Sequence, residues 1–327
     1  MRRGGAREHV PDAHEQDMCG PFTRRQFIGA SAASLAMTVP LGVLAPQAAH
    51  AANAASIRAV ALGADFTLLT GAGCNVVALK GPQGSLLVDG GLAASSKALL
   101  RAAGTATSNR KVATLINTHW HPAHTGSNEA VGRGGGTLIA HEVTAKYLAR
   151  AIASVDYDGL YGPLPPVARP TQTTRRDGTL EFAGQPVRYG YLPAAHTNGD
   201  LYIHFPDSNL LVTGGPVTSE SWPLLDYRNG AWLGGLVRAH ETLAALVRPD
   251  TRMVPAHGRL LTGAELQAQH RLYADFHERM VVFQNKGYDS GDCLAQRPLK
   301  EHEAQFGDAS KFIVGAFHSL NLAYSPD

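Results

Sequence analysis

The stretch INTHWHPAHTGSN, Ile116–Asn128, places three histidines within six positions: His119, His121 and His124. A continuous apolar run, VATLIN (Val112–Asn117), leads into it, so the histidines begin where a strand should end. One His-x-His is weak evidence by itself, because core packing and chance both produce it. Two more stretches share its character. PAAHTNGD carries His196 and VPAHGRL carries His257, each just after a strand-like segment. Strand ends at one edge of a sheet converge in space even when distant in the chain. Clustered imidazoles repel one another when protonated. Neutral, each offers a lone pair, and three such donors with one open position suit a catalytic zinc ion.

Upstream of this motif the short apolar runs FTLLT, CNVVAL and SLLVD, parted by Gly-rich turns at Gly71–Gly73 and Gly81–Gly84, read as a β-meander. Downstream, GTLIAHEVTAKYLARAIASV switches from strand to helix near His141, with Val143, Tyr147, Leu148, Ile152 and Val155 expected on one helical face. Residues 156–178 hold four prolines and no sustained periodicity, which predicts a long loop: a lid, a binding loop or a domain boundary. TLEFAG, PVRYGYL, DLYIHF and NLLVTGG then form a second strand-rich stretch, with Pro206–Asn209 as a turn. Two halves of this kind, each a meander feeding helices, predict an α/β fold: a four-layered αβ/βα sandwich of mixed sheets with outer helices.

The last third adds a helix in GAWLGGLVRAHETLAALV, a strand in TRMVPA and a helical extension from about residue 262. There Thr262 and Glu265 fit a capping box, Leu266, Tyr273, Phe276, Met280 and Phe283 form an apolar face, and Gly287 ends the helix. His270 and His277, seven apart on that helix, read as surface or core-edge residues.

At the other end, TRRQFIGASAASLAMTVPLGVLAPQAAHA runs from the Arg24–Arg25 pair through an apolar segment to Ala49-His50-Ala51. Basic, apolar, then small-x-small is the order of a secretory signal, and the paired arginines resemble the twin-arginine export signal. This predicts a signal peptide over 1–51, a mature chain from near Ala52 and a periplasmic or secreted location, with no membrane attachment after cleavage.

The 29 Lys and Arg nearly balance the 27 Asp and Glu. With the five Arg and four acidic residues of 1–51 set aside, 24 face 23. No long-range field draws such a chain to nucleic acid, so a small-molecule partner is expected. Cys19, Cys74 and Cys293 form no CxxC pair, which excludes a thiolate zinc knuckle. A Cys74–Cys293 bridge and unpaired small hydrophobes both remain open readings. Oligomeric state has no signature in the sequence.

With these motifs in view, the chain from about Asp65 to Leu261 resembles the metallo-β-lactamase superfamily, and WPLLDYRNGAWLGGLV is similar to its exported sulfur-oxidation and quinoprotein-associated branch. The family pattern is His-x-His-x-Asp-His, then His in His-Thr-x-Gly, Asp in Thr-Gly-Asp, and a final His before Gly. The resemblance implies the αβ/βα sandwich and a first metal held by His119, His121 and His196. It also implies a second ion held by two carboxylates with His124 and His257. Here Ala123 and Gly215 stand where those carboxylates belong. Two neutral imidazoles lack the anionic oxygens that offset a divalent charge, so one ion is expected, with a second only weakly held through His124 and His257. Zinc is the default, while iron, copper or nickel would also accept three imidazoles.

His124 and His257, released from metal duty, are candidates for general acid or base. Asp89 (in LLVDGG) and Asp200 (in HTNGD) are candidates to hold the far nitrogen of a ligand histidine, or are simply turn residues. Trp120, Trp222 and Tyr227 are candidate pocket walls or ordinary packing. The resulting expectation is an exported hydrolase in which a His₃ metal-bound water or hydroxide attacks an ester, lactone, thioester or amide-type bond. The alternative is a degenerate relative that binds metal or a small ligand without turnover.

Overall fold

Runs of Val and Leu with no polar interruption build strands that can be buried on both faces, and such runs form the centre of this fold. The computed structural model describes residues 56–155 and 159–324. The expected signal peptide, its cleavage point near Ala52 and Cys19 lie outside the described residues. The first sheet has seven strands in sequence order: β1 (Arg58–Ala61), β2 (Phe66–Thr70), β3 (Val76–Leu79), β4 (Ser85–Val88), β5 (Val112–Ile116), β6 (Thr137–His141) and β7 (Gln172–Thr174). β1 to β4 pair antiparallel as the predicted meander, and β4 to β7 pair parallel. The parallel crossovers contain α1 (Ser96–Thr107), the short α2 (Pro122–Thr125) with α3 (Asn128–Arg133), and α4 (Glu142–Leu148).

The second sheet is formed by β8 (Gly178–Phe182), β9 (Gln185–Leu192), β10 (Asp200–Phe205), β11 (Leu210–Thr218) and β12 (Arg252–His257), with order β12-β11-β10-β9-β8. β11 and β12 are parallel and joined through α5 (Leu233–Ala244). Val77, Leu86, Val88 and Ile116 of the first sheet meet Leu201, Ile203, Phe205 and Val212 of the second in one buried core. α1 and α3 cover the outer face of the first sheet through Leu99, Ala103 and Val131. α5 and α6 (Gly263–Asn285) cover the second through Ala239, Leu243 and Leu266. This is the predicted four-layered sandwich. Thr262 and Glu265 close the predicted capping box. Beyond it, α7 (Ser290–Ala295) and α9 (Ser310–Tyr324) pack with α5 and α6 around Tyr273, Phe276 and Phe312, and the short α8 (Glu303–Phe306) sets Phe306 against Trp222. Among the described residues no helix is long and apolar enough to cross a membrane.

The structure corrects two expectations. α4 stops at Leu148 rather than running to Val155, because Ile152 exchanges two backbone hydrogen bonds with Tyr161. The described part of the 156–178 segment is not a lid. It contributes β7 and packs Tyr161 and Leu164 around Trp120. Of the two readings of the cysteines, the unpaired one holds: Cys74 and Cys293 are each a free, buried thiol in a different core cluster. Trp120, fully buried with Tyr147, Leu148 and Ile152, anchors the histidine loop from behind rather than walling the cleft. Trp120→Ala should cost about 3–5 kcal/mol in chemical denaturation, the usual range for emptying a large aromatic site.

Candidate metal centre

The loop after β5 runs along the joint edge of the two sheets, and the turns that face it come from the β9–β10 connection and the end of β12. Together they enclose a cleft of about 410 Å³ lined by His119, His121, His124, His196, His257 and Trp222, among others. His119, His121 and His196 are buried, and each brings a ligating nitrogen within 4.8 Å of the others.

Their hydrogen-bond partners decide which nitrogens face inward. The Asp226 carboxylate can only accept, so His121 Nε2, 3.0 Å from Asp226 Oδ2, carries a proton. The Leu224 carbonyl, 2.6 Å from His196 Nδ1, demands a proton there for the same reason. The Thr118 hydroxyl gives its one hydrogen to Asp89, which leaves it to accept from His119 Nδ1 at 3.0 Å. In neutral rings the inward atoms are therefore three lone pairs: His119 Nε2, His121 Nδ1 and His196 Nε2. The last two lie 2.9 Å apart, and His119 Nε2 is buried with no hydrogen-bond partner. Burial first, then the charge of neighbouring histidines, holds His119 well below the usual imidazole range. Burial and His121 do the same for His196. Converging lone pairs that resist protons are the donor set that a divalent cation fits.

Gly215 makes this arrangement sterically feasible. A Cβ there would stand 2.1 Å from His196 Cδ2 and 2.6 Å from its Nε2. The His196 ring thus occupies the space a Cβ at 215 would need, so in this chain a side chain there requires the ring to shift.

Asp89, in a left-handed backbone conformation (φ 67°) after β4, accepts from Thr118 N at 2.8 Å and from His124 Nδ1 at 2.8 Å. It therefore holds a cleft histidine directly, and His119 only through Thr118. Asp200 touches no imidazole nitrogen. Its oxygens accept from the backbone N–H of His196 and Thr197 and from Thr197 Oγ1, so it shapes the turn that presents His196. Burial pushes Asp200 up to about 7, against the pull of those bonds.

For His124, burial is the largest influence and opposes protonation, but the Cys74 thiol and Asp89 outweigh it and raise its pKa to about 10. His257 lies at the cleft mouth with its ring centroid 5.9 Å from that of His124. Its surface is open to the cleft, yet desolvation by the atoms around it, followed by the His124 charge, lowers its pKa to about 4. Trp222 lines the cleft, whereas Tyr227 lines a neighbouring groove.

Sequence reasoning missed Asp226, Thr118 and Cys74. Asp226 lay in plain view in WPLLDYRNG, but no strand end or histidine spacing marked it. Its backbone N–H bonds the His196 carbonyl, a contact that only the fold creates.

Residues 69–257 match the model of a family described as the metallo-beta-lactamase superfamily. A linear primary-alkylsulfatase of Pseudomonas sp. (strain ATCC 19151) is 22% identical over 292 residues, which cover 75% of this chain and 54% of the alkylsulfatase. The chain thus spans about half the length of that relative. Among solved structures, a metallo-beta-lactamase from Pontibacter korlensis superposes with a TM-score of 0.54 at 20% identity, covering 67% of this chain and 99% of that one. A stereoselective inverting sec-alkylsulfatase from Pseudomonas sp. superposes with a TM-score of 0.59 at 16% identity, covering 83% of this chain and 52% of its own.

Proposed function

Because the chain belongs to the metallo-beta-lactamase superfamily, we propose that it is a metal-dependent hydrolase of a small-molecule ester-type bond, with zinc at His119, His121 and His196. The observation that carries this reading is the convergence of three inward lone pairs whose tautomers are set by Asp226, the Leu224 carbonyl and Thr118. When bound, a zinc ion supplies Lewis-acid activation of the scissile group and of a water, whose pKa it brings to about 7.

The chain's own residues supply the rest. Asp226 and the Leu224 carbonyl keep His121 and His196 turned inward. His257, kept neutral at ordinary pH, faces the cleft as a proton acceptor, the task that no carboxylate at position 123 can perform. The adjoining groove of about 540 Å³, with Phe306 and Phe312 on its wall, shares Ser221, Trp222 and Leu224 with the cleft. That continuity supports a substrate with an apolar body beside its hydrolysable head. Carboxylic esters, lactones, thioesters and sulfate esters all fit this description, and the alkylsulfatase likeness supports including the last. Export is part of the proposal, on the strength of Arg24–Arg25 and the small-residue site at Ala49–Ala51.

The test is metal content per chain in protein purified without chelator, beside His196→Ala, followed by a hydrolysis screen of alkyl-chain esters and sulfate esters. Metal in the native protein, lost from the variant together with any turnover, is the expected result. Metal without turnover on any ester class would favour a binding protein, and absence of metal would end the hydrolase reading.

A further inference from the structure

Asn75 donates its backbone N–H to the Ala256 carbonyl at 2.9 Å, and its side-chain amide to the carbonyls of Pro255 and Gly258, each at 2.9 Å. These bonds clamp the β2–β3 turn on either side of His257. The neighbouring Cys74 lies behind the cleft histidine His124, where its sulfur, a carboxylate oxygen of Asp89 and a nitrogen of His124 all lie within 4.8 Å of one another, every residue buried. The turn residue before it, Gly73, lines the cleft itself. His124 also lies against the first centre, its ring centroid 4.0 Å from that of His119.

We propose that Cys74, Asp89 and His124 form a second cation site, a thiolate one, beside the three-histidine centre. The proposal rests on reading the cleft as a metal centre. A cation that displaces the Cys74 thiol proton would find a thiolate and a carboxylate there, two negative charges, the number lost with the carboxylates absent at 123 and 215. Charge balance for a second divalent ion is restored from a different part of the chain. A sulfur, oxygen and nitrogen donor set selects borderline-soft ions such as zinc, cobalt or cadmium over magnesium or calcium. His257 stands beside the site and keeps its role at the cleft mouth. The imidazole pair His124 and His257, expected from sequence to hold any second ion, is thus replaced by a group of three different donors.

The test is a cobalt titration of the full chain after metal removal, followed by absorption. The native protein should take up two equivalents, one of them bringing the near-ultraviolet thiolate-to-cobalt charge-transfer band. In Cys74→Ser the band should vanish and the second equivalent should bind at least about tenfold more weakly, the lower bound for losing a supporting group at a metal site. Cys293→Ser should keep both. Cys74→Ala, matched to the small buried side chain, replaces the serine variant if circular dichroism shows that serine disturbs folding. Uptake of one equivalent with no thiolate band overturns the cysteine site while leaving the three-histidine centre standing. No uptake of cobalt overturns both.

Discussion

Replacing Gly215 with alanine is expected to lower affinity for the three-histidine ion by about 100-fold or more, at or beyond the upper end of what losing an orienting group costs such a centre. The reason is steric. The new Cβ would lie 2.1 Å from His196 Cδ2, so the ring must swing out of line with His119 and His121, and its 2.6 Å bond to the Leu224 carbonyl must break. Gly215→Asp, which restores the family's residue, is expected to do the same, alone or with Ala123→Asp. Zinc titration of the metal-free variants, with circular dichroism to show an intact fold, checks this. Retention of native affinity in Gly215→Ala would mean that the His196 ring is not committed to the position described. Loss of affinity in Gly215→Ala would mark the glycine as the complement of an imidazole packed against the backbone.

The second large effect is expected at Asp226. Asp226→Ala removes the acceptor that keeps the proton on His121 Nε2, 3.0 Å away, and should weaken zinc binding by about 10–100-fold, or about 1.4–2.8 kcal/mol. Asp226→Asn separates orientation from charge. Its amide oxygen can still accept from both His121 Nε2 and Asn229 Nδ2, so the tautomer survives while the negative charge is lost. The asparagine variant should therefore fall between native protein and Asp226→Ala. Nitrogen-15 spectra of the histidine rings should show the Nε2–H tautomer of His121 in native and asparagine proteins and a mixture in the alanine variant. A purely structural role for Asp226 would lower thermal stability in both variants without changing that tautomer.

Strands with a buried face were legible because burial imposes composition. FTLLT, CNVVAL, SLLVD and VATLIN became β2 to β5, and the four runs of the second half became β8 to β11. The strands that escaped notice, β1 and β7, are the two edges of the first sheet, with side chains largely exposed. Edge strands are held by backbone hydrogen bonds, which leave no periodic trace in side-chain character. The overextended α4 had the right apolar spacing, but Ile152 buries the same surface from a two-residue bridge with Tyr161, and periodicity cannot distinguish the two. Asp200 shows the same limit at the site: its adjacency to the His196 turn was visible, yet its bonds go to backbone N–H groups rather than to a ring nitrogen.

By itself the sequence determined the sandwich, the three strand-end histidines and the absence of carboxylates at 123 and 215, because these depend on residue type and local pattern. Only the tertiary structure decided what surrounds the histidines. Asp226 reaches His121 across 105 residues, Asn75 ties Cys74's turn to the end of β12 across 180, and Gly215 yields its side-chain space to His196. Such contacts join segments that share no periodicity. They exist only once two sheets have packed face to face and brought their loops to one edge.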